Sequence, residues 1–401
     1  MTHVIVVGAG QAGAALSARL RQQGFEGQIT LIGEEPVAPY QRPPLSKKYL
    51  TGELPIDRLY LRPASFYADQ NITLMTGCRV ERIDRAARWV ITPRGPLAYD
   101  ALVLATGGRA RHLPQALGGG LDGVYTVRTL ADVDAMAPEF VAGRHLFIVG
   151  GGYIGLEAAA VARQRGLTVT VLDASSRILN RVASAQTADY IRARHLAHGV
   201  EIIEGETLDH LTGVSRVDGA LLSNGRQIPA DFAIVGIGLA PATELAEAAG
   251  LDVADGITVD ALCRTSDPAI YAVGDCASFP HGAGHLRLES VPNAIAMAEA
   301  AADAILGHGT PYRPNPWFWS DQYDMSLQIA GLSTGYDRVV SRDSDRGKSF
   351  WYFAGARLLA VDAVNDPRAY MLGKRWLEAG LSPNPAHVAD ASLELKSLGT
   401  S

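Results

Sequence analysis

The chain has 401 residues, 47% of them apolar, and a net charge of −6 with both signs interspersed, which is enough apolar material for two or three domains. The acidic balance lacks the basic footprint of a nucleic-acid-binding protein, and no apolar run approaches the ~18–20 residues of a membrane-spanning helix. Cys78, Cys263 and Cys276 lie far apart and form no CxxC pair, so neither a disulfide framework nor a metal site is expected, and a reducing cytoplasm fits.

The opening MTHVIVVGAG is apolar, but it has no basic leader and stops at a glycine turn. It reads as a buried parallel strand and not as a signal peptide. Residues 4–7 lead into Gly8-Ala9-Gly10-Gln11-Ala12-Gly13, then a helical AALSARLRQQ ending at Gly24, then a strand QITLIGEE. NITLMT and ALVLATG are further short strands. Residues 146–149 repeat the first plan, leading into Gly150-Gly151-Gly152-Tyr153-Ile154-Gly155, a helix LEAAAVARQR ending at Gly166, and a strand TVTVLD. GVEIIEG, DFAIVGIG and AIYAVGD read as strands, and AIAMAEAAADAIL as a helix stopping at Gly307. RPNPWFWSDQY, rich in proline and aromatics, reads as a linker or the start of a domain. Beyond it SLQIAGL, DRVVSRD, KSFWYFA and ARLLAVDAV alternate as strands of an antiparallel sheet.

The repeat is a βαβ unit used twice. In a dinucleotide turn the first glycine permits the tight turn, the second admits the pyrophosphate to the backbone, and the third lets helix and strand pack closely. The free N–H groups and positive dipole end of the helix then meet the phosphates. An acid roughly 20 residues on accepts from the adenosine ribose; Glu34 and Asp173 stand at the ends of the two second strands. Two such units predict one dinucleotide that stays and one that comes and goes. Asp173 would repel a 2′-phosphate and has Ala174, Ser175 and Ser176 after it, with Arg177 only further on, so NADH is expected over NADPH.

Beyond the turns the chain resembles a known family over essentially its whole length: the NADH-dependent ferredoxin reductases of the putidaredoxin reductase type, flavoproteins that serve bacterial haem monooxygenases and Rieske dioxygenases. The resemblance is carried, in order, by the first GxGxxG, PYQRPPLSK at 39–47, ALVLATG at 101–107, GGGYIGLE at 150–157, TSDPAIYAVGD at 265–275, RLESVPNA at 287–294 and FWSDQY at 318–323. It implies an α/β fold with two Rossmann-like dinucleotide-binding domains, as in glutathione reductase, plus a C-terminal α+β domain. The implied boundaries are 1–112 and 239–313 for the FAD-binding domain, 113–238 for the NADH-binding domain and 314–401 for the C-terminal domain.

The resemblance also implies roles. Gly8, Gly10, Gly13 and Glu34, with Ala105, Thr106 and Gly107, would hold tightly but non-covalently bound FAD. Arg42 and Lys47 would lie along it, Lys47 near the flavin N5 edge; Asp275, Arg128 and the segment around Val291 would also contact it. Gly152, Ile154, Gly155, Asp173, Arg181 and Gly238 would receive NADH. Glu157 would approach the nicotinamide and pair with Lys47, and Trp319 would pack near the flavin. Each has a plain structural reading as well. Arg42 and Lys47 could be surface charges, Glu157 an acid favoured by the dipole of a first helical turn, and Trp319 core.

Relatives that reduce disulfides or peroxide need a redox cysteine. The segment 36–50 has none, and Cys276 reads as a small buried side chain. The expected acceptor is therefore external, and the resemblance implies that it is a [2Fe–2S] ferredoxin, docking on a monomer through a basic patch with Arg313, Arg338, Arg342, Lys374 and Arg375 as candidates. Rubredoxin is a close alternative acceptor. A membrane-peripheral quinone reductase would want a basic amphipathic tail, and the tail HVADASLELKSLGTS is short and weakly basic. A non-enzymatic, NADH-responsive interaction flavoprotein would carry targeting segments and insertions of which the sequence has none.

Overall fold

The structure, a computed structural model, describes residues 2–345 and 347–400. Its first sheet is parallel and five-stranded, in the order Ile270–Ala272, Ala101–Leu104, His3–Val7, Gln28–Ile32, Ile72–Met75. A parallel sheet covered on both faces needs strands apolar on both faces, and Val4 to Val7 and Ala101 to Leu104 are all buried. The second sheet repeats the plan, with Val200–Glu204, Thr168–Asp173, His145–Val149, Phe232–Val235 and Val124–Tyr125 in order. In both, the central strand is flanked by the next strand on one side and a later strand on the other, so its C-terminal end is a topological switch point. Helices Gln11–Gln22 and Tyr153–Gln164 leave from those points. Both stop two residues before a left-handed glycine, Gly24 (φ 80°) and Gly166 (φ 81°).

The third sheet is antiparallel, in the order Trp317–Gln322, Met325–Gly331, Arg357–Val364, Lys348–Ala354, Arg338–Asp343. Helix Pro367–Ala379 packs on it, with the Trp376 ring 5.5 Å from Trp351. Here RPNPWFWSDQY proves to be both connection and the start of the C-terminal sheet. Only the proline-bearing part connects; from Trp317, immediately after Pro316, the chain is the edge strand of this sheet. Proline lacks the N–H that strand pairing uses, so the strand begins where the prolines end. Helices Ala185–Ala197 and Pro367–Ala379 were not anticipated either.

The chain divides into two compact units. One comprises Met1–Arg42, Pro55–Arg109 and Leu239–Pro316; the other comprises Pro43–Leu54, Ala110–Gly238 and Trp317–Ser401. The C-terminal sheet therefore shares a unit with the second dinucleotide fold, and Leu156, Ile178 and Ile191 share a core with Met325, Leu327 and Val364.

That shared core contains a buried acid. Asp362 Oδ2 accepts from Thr187 Oγ1 (2.9 Å) and from the Tyr352 hydroxyl. Burial pushes its carboxyl up to about 6. Between the ordinary aspartate value near ~4 and this one, the folded state keeps a proton that the unfolded state has released. Stability is therefore lost as pH rises through that window and levels off above it. Asp362→Asn keeps an accepting oxygen and removes the charge. The variant is expected to gain about 2–3 kcal/mol over the parent at pH 8 and only about 1 kcal/mol at pH 4.5, measured by urea unfolding. An equal difference at the two pH values would contradict this assignment.

Candidate functional site

In the first unit the glycine turn is shaped by contact with backbone. Gly8 has φ 116°, and a Cβ there would sit 2.1 Å from the Ala105 carbonyl oxygen. A Cβ on Gly13 would sit 2.0 Å from Gly8 O. Gly10 differs, because a Cβ there would meet nothing within 4 Å. The middle glycine thus faces open space, and the flanking two are wedged. Ala105 and Thr106 line the turn, Thr106 Oγ1 donates to Ala242 O (2.6 Å), and Gly107 takes a left-handed φ of 67°. Asp275 lies in the short turn Gly274–Cys276. A Cβ on Gly274 would touch Ala12 Cβ (3.2 Å) and Ala294 Cβ (3.6 Å), so this turn is set against helix Gln11–Gln22 and helix Val291–Ile305. The fold thereby gathers Gly8, Gly10, Gly13, Ala105, Asp275 and the Val291 helix end at one locus.

Two acids follow the strand Gln28–Ile32. Glu34 lies two residues past its end, not at it. Its half-exposed carboxylate pairs at 3.7 Å with Arg79 and 3.8 Å with Arg109. Glu35, which the sequence reading passed over, accepts from Arg42 Nη2 and from the Tyr40 hydroxyl, both at 2.6 Å. Arg42 is thus held by a neighbouring acid and is no loose surface charge.

The second turn repeats this geometry. A Cβ on Gly150 would sit 2.4 Å from Gly236 O, one on Gly155 2.3 Å from Gly150 O, and one on Gly152 would meet nothing within 4 Å. Asp173 ends its strand, and its carboxylate accepts from Gly151 N and Ser175 N, both at 2.8 Å. The Arg181 guanidinium reaches Gly238, where a Cβ would be 3.4 Å from Nη2. Ile154 leaves an apolar side chain half exposed at the mouth of this turn.

The capping pattern separates these helices from the rest. Among the described residues six helices have seven residues or more. Thr129, Ser184, Ser290 and Asp366 cap four of them through their side chains. The two without a side-chain cap are Gln11–Gln22 and Tyr153–Gln164, whose N-caps are Gly10 and Gly152 and whose first turns hold no acid. Their first N–H groups are left for an external acceptor. Open space at the middle glycine together with uncapped donors fits the pyrophosphate of a dinucleotide in both units.

Lys47 and Arg128, which the resemblance sets along FAD, belong to the second unit. Lys47 Nζ lies 2.9 Å from Glu157 Oε1. The same carboxylate accepts from Ser46 Oγ and Ser320 Oγ, both at 2.6 Å. Glu157 is the fifth residue of its helix, past the first turn, so the reading as an N-terminal dipole charge is corrected. It is almost fully buried, and burial raises its pKa against the opposing pull of Lys47, Ser320 and Ser46. A buried charge held by one cation and two hydroxyls is costly to build. Ser46 and Ser320 were missed, although strand alternation does place Ser320 opposite in facing to Trp319. Trp319 is half-buried, its ring 5.5 Å from Trp317, which in turn lies under Lys374 Nζ (5.3 Å). Arg128 is tied by its backbone N–H to Asp132 (3.0 Å).

Arg342 is removed from the docking candidates. It is buried and donates to the carbonyls of Val388, Asp390, Ala391 and Leu393 at 3.0, 2.6, 3.3 and 2.5 Å, fastening the C-terminal segment. Arg313, Arg338 and Arg375 are exposed. All three cysteines are free and buried. Cys276 Sγ rests against Val273 O (3.4 Å) and Leu104 O (3.5 Å), and burial raises its thiol pKa.

Residues 2–298 match the pyridine nucleotide-disulphide oxidoreductase family, and residues 317–399 match a reductase C-terminal family. The chain belongs to the pyridine nucleotide-disulphide oxidoreductases. Within that family it is 42% identical to putidaredoxin reductase of Pseudomonas putida, over 99% of this chain and 96% of the relative. It is 43% identical to a ferredoxin–NAD(P)(+) reductase of a Sphingomonas species, over 100% and 98%. The solved covalent complex of putidaredoxin reductase with putidaredoxin superposes with a TM-score of 0.95, at 41% identity, covering 99% of this chain and 98% of that one. As a pyridine nucleotide-disulphide oxidoreductase the chain takes a flavin and a nicotinamide dinucleotide. The disulphide of the family's name has no counterpart among three buried, separate thiols. Among the described residues no helix is long and apolar enough to cross a membrane.

Proposed function

We propose that the protein passes electrons from NADH through FAD to a [2Fe–2S] ferredoxin that supplies a monooxygenase or dioxygenase. One observation carries the reading: two uncapped glycine turns occur in a chain whose cysteines are too buried and too far apart in sequence to take up electrons. A bound flavin would supply the chemistry of taking a two-electron hydride and giving up single electrons. The chain's own residues bind, orient and tune. Gly8, Gly10, Gly13, Glu34, Arg42, Ala105, Thr106, Gly107, Asp275 and Val291 hold FAD. Gly152, Ile154, Gly155, Asp173, Arg181 and Gly238 hold NADH. Lys47, Glu157 and Trp319 fix the reacting geometry, so catalysis is positioning and electrostatics. The corresponding domains are 1–112 with 239–313 for FAD, 113–238 for NADH and 314–401 for the C-terminal sheet.

The donor side is tested by extracting and identifying the bound flavin and by comparing NADH with NADPH. Asp173 is held by Gly151 N and Ser175 N, so a 2′-phosphate meets a fixed negative charge. NADH is expected to be preferred, and Asp173→Asn is expected to narrow that preference about tenfold in kcat/KM. A parent enzyme that favours NADPH would overturn the assignment.

A further inference from the structure

Strand alternation puts Ser320 and Gln322 on one face of Trp317–Gln322, both buried. Gln322 Nε2 donates to Ser320 Oγ (3.0 Å), and Ser320 Oγ donates to Glu157 Oε1 (2.6 Å). On the other side Gln322 Oε1 lies 2.8 Å from Nε2 of His195, a fully buried residue of helix Ala185–Ala197. His195 Nδ1 lies 3.2 Å from the Tyr323 hydroxyl. All these residues belong to one compact unit.

The directions in this chain are forced. An ionised Glu157 has no proton to give, so Ser320 donates to it. Ser320 then has only a lone pair for Gln322, which must offer its NH2 group. The amide carbonyl is left facing His195, so the imidazole carries its hydrogen on Nε2. Nδ1 is bare and accepts from Tyr323. Every proton from Tyr323 onward points toward Glu157.

We propose that His195 is a positioning residue for the Lys47–Glu157 pair. As the neutral Nε2–H tautomer it sets the direction of the donor chain that keeps Glu157 an accepting carboxylate turned to Lys47. The inference rests on the reading of that pair as part of the nicotinamide and flavin site. Burial supports it, pushing the imidazole down to about 4. The groups facing His195 are His198 and Tyr323, stacked on each other at 3.7 Å, with Arg163 acting on Tyr323. Those facing Glu157 are Lys47 and the buried Tyr153. Without the imidazole the Gln322 amide is free to turn its carbonyl to Ser320 and draw the hydroxyl proton away. Glu157 then loses a donor and takes up a proton at higher pH.

The test uses the flavin-loaded enzyme with NADH as donor and ferricyanide as one-electron acceptor, so that no ferredoxin is needed. His195→Leu is expected to move the acid limb of the kcat/KM profile for NADH upward by about one pH unit. His195→Gln, whose amide can donate from near the Nε2 position, is expected to return it. An unmoved limb in a flavin-bound His195→Leu variant, or the same shift in both variants, would overturn the proposal. Nitrogen NMR of the histidine-labelled holoenzyme decides it independently of turnover, with the His195 signals identified by their loss in His195→Gln. A neutral Nε2–H ring from pH 5.5 to 8 is expected; an Nδ1–H tautomer or an imidazolium in that range refutes it. If the parent oxidises no NADH, the functional reading fails while the tautomer result still stands.

Discussion

Gly8→Ala is expected to yield little folded, flavin-bound protein, whereas Gly10→Ala is expected to fold as the parent does and to bind flavin weakly. The two substitutions add the same methyl group two residues apart. At Gly8 it meets backbone at 2.1 and 2.5 Å, on a residue with φ 116°. Neither atom can move without opening the sheet, so positive-φ strain and overpacking, each about 1–3 kcal/mol, add together. Against a total stability of about 5–15 kcal/mol that is a large loss. At Gly10 the methyl meets nothing of the protein and projects where a pyrophosphate approaches. The second turn predicts the same contrast: Gly150→Ala disrupts folding, while Gly152→Ala keeps the flavin and raises KM for NADH. Flavin content after gel filtration and urea midpoints give the answer. A Gly8→Ala protein with full flavin and parental stability would contradict the assignment.

Lys47→Met is expected to slow anaerobic reduction of the flavin by NADH by about 100-fold, the scale of a misplaced reacting geometry. It also strands Glu157. Removing one partner of a buried pair costs about 3–5 kcal/mol because the other charge stays behind. Burial already raises the Glu157 pKa, and loss of the cation raises it further. The folded variant therefore holds a proton that the unfolded chain has released. It loses stability as pH rises from the ordinary carboxylate range through the raised value. Adding Glu157→Gln should recover most of the stability and none of the rate. Stopped-flow reduction and urea unfolding of the single and double variants check both halves. A single variant as stable as the double one would show that the pair carries no buried charge.

The repeated βαβ plan was legible because its determinants are local. Glycine turns, uncapped helix starts and continuous apolar strands all lie within a few residues of one another. The acid Asp173 was legible for the same reason. The sequence is silent where partners come from distant segments. Ser46, Ser320, Gln322 and His195 reach Glu157 from three separate stretches of chain. Nothing in their spacing announces that. Arg342 looked like one more surface cation until the C-terminal carbonyls closed around it. In RPNPWFWSDQY the sequence left open where linker gives way to domain, because proline and tryptophan sit side by side there; the strand begins where the prolines end. Glu35 was hidden by its neighbour Glu34, since only the fold shows which of two adjacent acids faces Arg42. The family resemblance supplied roles that local patterns could not.

Electron transfer to an iron–sulfur partner is tested most directly by steady-state turnover of the flavin-loaded protein with NADH, offered a [2Fe–2S] ferredoxin, a rubredoxin and a soluble quinone in parallel. The prediction is that kcat/KM is highest for the [2Fe–2S] ferredoxin and falls as ionic strength rises, as expected for docking between complementary charges. A higher kcat/KM for the quinone, or NADH oxidation that no iron–sulfur protein accelerates, would contradict it.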